Sequence, residues 1–383
     1  MFYKKMALTW GLLVSSCLVS IFILSTIIDP IDILGTPLIK GLNNCKVNQV
    51  NYLDIFKPYQ VVKYDPKVLF VGSSRVYCAL EPKLDGYEDQ KVYNFAFSAL
   101  SLKNMEKYLD FVYAVSKPEK VFIGLDFFQF SKENFNDVKN NFSQKRLSIL
   151  SQNNKELIVL ESYKENFQVS YLILNTIKNS FKDKKNVDVF QRGWDSFRGG
   201  SEFVNQKEYY TSMNSYMKFY SEWEYEPEAI KSFKRIVDKA KYNDVKIFVF
   251  FNPISVDLIS LIKLNGLEDD LLQIKKDVVE IVDVIYDFNF INDYTINRFD
   301  LYYDASHSNM KFGKLVKKDI LAGVDTERMK ILNRDCIVDK LIKEKEMNDK
   351  WFYDNLKYIS YLERKVKSKE KVVQGEISEF IGF

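Results

Sequence analysis

The chain has 383 residues, of which 46% are hydrophobic, so it is long and apolar enough to bury a sizeable core. Its 55 basic and 52 acidic residues give a formal net charge of only +3. This near-balance gives no electrostatic reason for nucleic-acid binding, so no nucleic-acid partner is expected. The four cysteines form no CxxC pair and have no histidine neighbours at metal-ligand spacing, so no metal is expected. The sequence also has no glycine-rich phosphate cradle, so no nucleotide or other cofactor is expected.

The first predicted element is a membrane-spanning helix. After Lys4 and Lys5, residues 7–28 form an uncharged, mostly apolar run that ends before Asp29. About 20 apolar residues span a bilayer, whereas a cleaved signal peptide has an apolar region of roughly 7–15 residues and a small-residue cleavage site. We therefore predict an uncleaved, single-pass anchor at 1–29. The positive-inside rule places the lysines in the cytoplasm and the rest of the chain outside the plasma (inner) membrane, in the periplasm or at the cell surface.

Residues 30–66 are predicted as a juxtamembrane connector, and residues 67–323 as an α/β domain. Within this domain, strand-like and helix-like apolar patterns alternate. The predicted strands are 68–71, 92–97, 120–126, 245–251 and 284–288, and the predicted helices are 102–114, 226–241 and 311–321, with a further helical region before residue 281. Alternating strands and helices indicate a parallel sheet covered by helices on both faces.

Two other regions do not follow this alternation. A long polar and aromatic segment at about 130–223 is interpreted as an insertion with loops. The C-terminal extension at 324–383 is strongly charged with mixed signs and contains few helix breakers, so it is predicted to be a solvated helical region. Packing of this extension back on the domain is a simpler expectation than binding of a partner.

The catalytic candidates begin with His307, the only histidine of the chain, which lies three residues after Asp304. A general base that works near neutral pH is most often a histidine. Far upstream, the strand at 68–71 runs into Gly72-Ser73-Ser74, a small-residue turn that would present a serine hydroxyl. A serine, an acid and a histidine in this chain order indicate a hydrolase or acyl-transfer triad, in which Asp304 fixes the tautomer of His307.

Further candidates follow the predicted parallel strands, where ligands bind in sheets of this kind. Asn94 offers a side-chain donor for an oxyanion, and the backbone of the turn after it offers N–H groups. Arg75 is predicted to form a salt bridge rather than to bind an acidic sugar, and Asp126 is interpreted as a strand-end or capping residue. The full set of oxyanion or substrate candidates is Ser73, Arg75, Asn94, Ala96, Ser98 and Asp126.

Three blocks of the chain resemble the SGNH/GDSL hydrolase superfamily. The resemblance is closest to its membrane-anchored branch, which contains the alginate O-acetylation proteins and the D-alanine transfer protein of teichoic acids. Gly72-Ser73-Ser74-Arg75 resembles the nucleophile block, Asn94 to Ser98 the second block, and Asp304 to His307 the closing D-x-x-H. The resemblance implies a three-layer, flavodoxin-like fold, with Ser74 as the nucleophile, His307 as the base and Asp304 as its orienting acid.

The chain also departs from that family. Ser73 stands where an acid often precedes the serine, Ala96 or Ser98 replaces the glycine of the second block, and no clear G-x-N-D block is present. These departures leave the oxyanion donors open.

The resemblance and the anchor together predict acyl transfer to, or ester hydrolysis on, a cell-surface or secreted polysaccharide. The expected acyl group is acetyl, carried as an acyl-serine intermediate. An acyl-exporting membrane protein is expected as a partner by analogy alone. The alternative is a catalytically inactive, SGNH-shaped subunit that binds glycan or scaffolds a modification and export complex.

Overall fold

The computed structural model describes residues 2–46, 49–136, 142–152, 154–182 and 190–373, together with Glu376 and Phe380. The chain divides into two compact units: the first comprises Met1–Tyr64 and Ser143–Phe190, and the second comprises Asp65–Phe142 and Gln191–Phe383. In chain order, the helices are α1 (Phe2–Ile28), α2 (Leu53–Tyr64), α3 (Ser74–Ala79), α4 (Leu102–Val115), α5 (Lys132–Asn136), α6 (Gln144–Ser151), α7 (Lys155–Gln168), α8 (Ile173–Phe181), α9 (Ser196–Gly199), α10 (Gln206–Ser221), α11 (Pro227–Tyr242), α12 (Val256–Leu264), α13 (Glu268–Ile281), α14 (Asp293–Ile296), α15 (Arg298–Leu301), α16 (Met310–Ala322), α17 (Ile337–Asp354) and α18 (Leu356–Ser368).

A six-stranded sheet forms the centre of the second unit. In chain order, the strands are β1 (Val68–Val71), β2 (Val92–Asn94), β3 (Lys120–Leu125), β4 (Phe190–Gln191), β5 (Trp194–Asp195), β6 (Lys246–Phe251), β7 (Ile285–Asp287) and β8 (Lys330–Leu332). The sheet has the order β2-β1-β3-β6-β7-β8, and β4 and β5 pair separately. Neighbouring strands are parallel as far as β7, whereas β8 runs antiparallel to β7. The prediction of an α/β unit with a parallel, helix-flanked sheet is confirmed from β2 to β7, whereas the antiparallel strand β8 was not predicted.

The sheet forms where the sequence has nearly continuous apolar runs. β1 is buried along its whole length, as expected for a strand of a parallel sheet that is covered on both faces. The flanking helix α4 begins after Ser101, whose Oγ accepts a hydrogen bond from the Asn104 N–H at 3.3 Å, and it buries Met105 and Leu109. α4 in turn packs against α11. The N-terminal cap of α4 and its apolar face therefore both favour a helix that packs against the sheet.

The predicted and observed elements differ in three places. The strand predicted at 92–97 ends at Asn94, although the N–H groups of Phe95 and Phe97 still donate to the backbone oxygens of Phe70 and Gly72. The predicted connector contains α2, and the segment predicted as an insertion with loops contains several helices, among them α7 and α10. These helices were not predicted because their apolar faces are interrupted by polar and aromatic residues.

The first unit contains α1, α2, α6, α7 and α8. The 27 residues of α1 are long and apolar enough to cross a membrane. Most of its side chains are exposed, whereas Ser25 and Ile28 near its end are buried. α1 is therefore compatible with a membrane anchor or with a signal sequence.

The C-terminal helices α17 and α18 pack on the second unit through buried polar contacts. Lys275 of α13 lies 2.7 Å from Asp287 of β7 and 2.7 Å from Glu344 of α17, and all three side chains are fully or almost fully buried. Burial raises the pKa of the Glu344 carboxyl to about 7, against the opposing effect of the Lys275 charge. Tyr358 of α18 donates a hydrogen bond of 2.6 Å to Asp257 of α12. The extension is thus a packed part of the unit over 337–368.

The buried Lys275 should be needed for the stability of the second unit. We expect Lys275→Met to destabilise that unit by about 3–5 kcal/mol, because it leaves two carboxyl groups buried without their cation. Urea unfolding of the full chain in detergent, followed by tryptophan fluorescence, measures this loss. The matched control is Lys345→Met, which breaks the exposed pair with Asp269 and should cost at most about 1 kcal/mol. Equal losses in both variants would contradict a stabilising role of the buried cluster.

The raised pKa of Glu344 also predicts a pH dependence. The folded state binds the proton of the Glu344 carboxyl more tightly than the unfolded state does. The contribution of Glu344 to the free energy of unfolding is therefore fully present below its ordinary pKa of 4.5 and is lost as the pH rises through about 7. Relative to Glu344→Gln, the wild-type chain should therefore lose stability over this interval. Thermal unfolding of both proteins at pH 5 and pH 8 tests the sign, and a difference that is independent of pH would contradict it.

Candidate active site

A tight turn after β1 positions Ser74. Gly72 follows the strand directly and has a φ of +157°. A Cβ at this position would lie 2.4 Å from Cγ2 of Val76 and 2.8 Å from the backbone oxygen of Gly124, so only glycine fits. Ser73 then caps α3, and Ser74 is the first residue of that helix. The carboxyl end of β1 therefore presents the Ser74 hydroxyl in a fixed position, with its side chain partly exposed.

The structure brings the three predicted triad residues together. Nε2 of His307 lies 2.9 Å from Oγ of Ser74, and Nδ1 of His307 lies 2.7 Å from Oδ2 of Asp304. Asp304 is buried, whereas Ser74 and His307 are partly exposed. A serine hydroxyl, an imidazole and a carboxylate are thus linked in one hydrogen-bonded chain, with the hydroxyl at its accessible end. This arrangement is able to activate a nucleophile.

The loop that carries Asp304 and His307 is held by its own hydrogen bonds. Oδ1 of Asp304 accepts the backbone N–H groups of Ser306 at 2.7 Å and His307 at 2.9 Å, and the Tyr303 N–H donates to the His307 oxygen at 2.9 Å. Burial acts to raise the pKa of the Asp304 carboxyl, but His307 and the backbone donors act more strongly and hold that pKa below its usual value. Asp304 is therefore ionised at neutral pH, in the state that orients the imidazole.

Arg75 connects the nucleophile turn to the histidine loop. Its Nη1 donates to Oδ1 of Asp126 at 2.6 Å, and its Nε donates to the backbone oxygen of Ser306 at 3.2 Å and to its Oγ at 3.1 Å. The guanidinium carbon lies 5.2 Å from the ring centroids of both Phe128 and Tyr216. The arginine is 2% exposed. The predicted salt bridge of Arg75 is confirmed, and the pair lies inside the fold.

The remaining predicted site residues have structural contacts. The Asn94 amide donates to the backbone oxygens of Val76 at 3.0 Å and Leu80 at 2.9 Å, and its Oδ1 accepts the Ala96 N–H at 3.2 Å. These bonds hold α3 against the chain that follows β2, so the donors of Asn94 and Ala96 are already engaged. Ser98 is exposed, and its Oγ lies 2.9 Å from the hydroxyl of Tyr77.

A cavity of about 430 Å³ opens beside Ser74. Its wall includes Ala99 of the turn after β2, and it includes Tyr216, Lys218, Phe219 and Glu222 from the end of α10 and the residue after it. Aromatic rings, a cation and a carboxylate therefore surround the space next to the nucleophile. Such a mixture suits a ligand that has both flat apolar faces and hydroxyl groups.

Sequence reasoning interpreted the tyrosine-rich stretch at 209–225 as core rather than as rings that stack on sugars, so the wall residues from this stretch were not predicted as site residues. They belong to the segment interpreted as an insertion with loops, whereas the structure forms α10 there. A usable signal was present, because Tyr209, Met213, Met217 and Tyr220 recur at helical spacing and are buried. A helix over these residues places Tyr216 on an adjoining face.

Two comparisons with known proteins give no relative. No protein-family model matches the chain, and no curated protein matches it. Among the residues that the structure describes, no group of three or more His, Cys, Asp or Glu side chains gathers in a way that would hold a metal ion. We therefore infer the chemistry of the site from the geometry around Ser74.

The buried Arg75 should stabilise the second unit through its partner. We expect Arg75→Met to destabilise this unit by about 3–5 kcal/mol, because it leaves Asp126 as an uncompensated buried charge. The double variant Arg75→Met/Asp126→Leu removes both charges and should recover a large part of the loss. Urea unfolding of the two variants and the wild type in detergent measures both effects. If Asp126→Leu lowered the stability of Arg75→Met further instead of restoring part of it, the loss would not come from the unpaired Asp126 charge, and this explanation would be wrong.

Proposed function

We propose that this chain is a membrane-anchored serine acyl hydrolase or O-acyltransferase of the SGNH type, acting on a cell-surface or secreted polysaccharide. The observation that carries the proposal is the hydrogen-bonded chain from Asp304 through His307 to Ser74. Ser74 and His307 lie 233 positions apart in sequence, and the parallel sheet brings the carboxyl ends of its strands to one edge, where such sites form. The first and last of the three sequence blocks that resemble the SGNH superfamily contain these residues.

The geometry supports a two-step acyl transfer. Oγ of Ser74 attacks an ester carbonyl while Nε2 of His307 takes the hydroxyl proton, and Asp304 accepts the Nδ1–H of the imidazolium that forms. When the tetrahedral intermediate collapses, His307 gives that proton to the departing alcohol and an acyl-serine remains. Water or a sugar hydroxyl then attacks the acyl group, His307 takes the proton of the attacking group, and the proton returns to Oγ of Ser74. Water as the acceptor gives an esterase, and a sugar hydroxyl gives a transferase.

The oxyanion requires donors that are not already used by the fold. The N–H groups of Ala96 and Phe97 donate to Oδ1 of Asn94 and to the backbone oxygen of Gly72. We therefore assign the oxyanion to the backbone N–H groups of Ser74 and Ser98. Of the candidate oxyanion donors in the turn Ala96–Ser98, only the N–H group of the last residue therefore remains.

A polysaccharide is the substrate that the cavity wall favours. Tyr216 and Phe219 offer faces for stacking on sugar rings, and Lys218 and Glu222 offer groups that hydrogen-bond hydroxyls. Two reciprocal hydrogen bonds support the retention of α1 as an anchor. Oγ of Ser25 donates to the backbone oxygen of Asn166 at 3.0 Å, and Nδ2 of Asn166 donates to the backbone oxygen of Ser25 at 2.8 Å. Cleavage after α1 would remove these buried contacts. The acyl-exporting membrane partner remains an expectation by analogy.

The second candidate function is an inactive subunit that binds glycan or scaffolds a complex. One observation favours it: the Asn94 amide, a predicted oxyanion donor, is engaged with the backbone of α3. Such a subunit would keep the cavity but would show no acyl chemistry at Ser74. Enzymatic activity therefore separates the two functions.

We expect the full chain in detergent to release 4-nitrophenol from 4-nitrophenyl acetate. Ser74→Ala and His307→Ala should each lower the rate at least about 10³-fold, because each removes a group that acts in the same step. Asp304→Asn should lower it by about 10³–10⁴-fold, because the amide favours the wrong tautomer of the imidazole. Initial rates at matched protein concentration measure these losses.

Ser215→Ala is the matched control for Ser74→Ala. Ser215 lines the same cavity, and its Oγ donates to the Thr211 backbone within α10, so the substitution should leave the rate near that of the wild type. Equal rates for the wild type, Ser74→Ala and Ser215→Ala would overturn the enzyme proposal and favour the scaffold.

A further inference from the structure

The end of α1 is built into the first unit. Besides the hydrogen bonds between Ser25 and Asn166, the ring of Phe22 lies 5.8 Å from that of Tyr163 and 6.2 Å from that of Phe167, both in α7. Neighbouring positions in the same turns of α1, Ile23 among them, remain exposed. One side of these turns therefore contacts α7, and the other side has no protein cover in the described part of the chain.

These contacts determine the depth of α7 relative to a membrane. Phe22 precedes the last residue of α1 by six positions, which corresponds to about 9 Å along the axis at ~1.5 Å per residue. The 27 residues of α1 extend for about 40 Å, somewhat more than the ~30 Å hydrocarbon core of a bilayer. If α1 spans the bilayer, its last two turns lie in the outer leaflet or at its surface, and the part of α7 that touches Phe22 lies at the same level.

The helices of the first unit that contact α1 expose large apolar side chains. Leu160 of α7 is 66% exposed, Leu174 of α8 is 79% exposed and Phe181 of α8 is 81% exposed. We call these three residues, together with Val159 and Tyr171, the apolar rim; the two additional residues are also more than half exposed. Scattered exposed apolar residues are ordinary, but these lie on α7, on α8 and in the turn between them, all of which contact one membrane-type helix.

An apolar groove joins the rim to α1. The groove has a volume of about 540 Å³ and lies between Phe22 and the α7 residues Val159, Leu160, Tyr163 and Phe167, and the side chains of Glu156 and Lys164 also line it. Its lining is continuous from the membrane-type helix onto the rim. A surface of this kind matches the acyl chains that would already surround α1.

The charges near the rim set a limit on its depth. α7 also carries Lys155, Glu156, Glu161 and Lys164, so it does not belong in the hydrocarbon core. Helices that combine an apolar face with charged side chains lie in the plane of the membrane interface. Their apolar side chains are directed into the acyl boundary, and their lysines extend to the headgroups. Lys178 of α8 and Lys182 after it, both exposed, would also be attracted to anionic lipid.

We infer that α7 and α8 lie in the interfacial region of the outer leaflet beside α1, with the apolar rim inserted among the lipids. The first unit then holds the membrane by an interfacial surface as well as by one spanning helix. The inference rests on the anchor of the proposed function but not on the chemistry of Ser74. Lipid acyl chains, rather than another protein, then cover the apolar rim.

Depth-dependent quenching in vesicles tests this placement. Single cysteines replace Leu160 or Leu174 in the full chain after Cys17→Ala and Cys336→Ala, and each is labelled with an environment-sensitive nitrobenzoxadiazole probe. The protein is reconstituted in phosphatidylcholine–phosphatidylglycerol vesicles that carry nitroxide lipids. Cys45 and Cys78 are buried, and the chain without an added cysteine reports any labelling at them. We expect headgroup-level nitroxides to remove most of the probe fluorescence at both positions.

Two further positions calibrate the measurement. A probe at Leu13, in the middle of α1, should be quenched best by deep nitroxides, and a probe at Tyr242, which is 90% exposed in the second unit, should not be quenched. Probes at Leu160 and Leu174 that behave like Tyr242, while Leu13 is quenched, would overturn the inference and leave the rim facing water or another protein. An unquenched probe at Leu13 would overturn both the anchor and this inference, and the esterase assay of Ser74 would still stand on its own.

Discussion

The buried charge of Arg75 is the constraint on which the candidate site depends. A guanidinium at 2% exposure is tolerated only where partners replace its water, and here the partners come from separate parts of the chain. Asp126 supplies the countercharge from the end of β3, Ser306 supplies acceptors from the histidine loop, and Tyr216 supplies an aromatic face from α10. Because Arg75 follows Ser74 directly, these contacts fix the distance between the nucleophile turn and the histidine loop.

The site is organised before any substrate binds. Asp304 is held by two backbone N–H groups as well as by the imidazole, and its pKa is lowered by the same contacts. Gly72 permits a turn that any other residue would force open against Val76. Such preorganisation lowers the cost of reaching a transition state, because the donors and acceptors do not have to reorient during the reaction.

Much of the sheet could be predicted from the sequence, because buried parallel strands are short apolar runs such as Val68–Val71. The three triad residues could be predicted because a lone histidine and a glycine-serine turn restrict the choice, whereas their proximity needed the fold. β8 could not be predicted, since Lys330–Leu332 lies in a strongly charged segment and gains its stability from pairing with β7. The wall of the cavity was missed because α10 buries tyrosines and methionines in a segment that otherwise looks polar. The pairing of Arg75 was predicted, but the engagement of Asn94 with α3 depends on tertiary contacts.

Covalent labelling of Ser74 shows whether His307 activates its hydroxyl. The full chain in detergent is treated with a fluorophosphonate probe, which reacts with a serine hydroxyl only when that hydroxyl is activated, and the modified peptide is identified by mass spectrometry. The account predicts one adduct, on Ser74, that forms in the wild type and in Ser215→Ala and is absent in His307→Ala. An unmodified Ser74 in a folded protein, or equal modification with and without His307, would contradict the account.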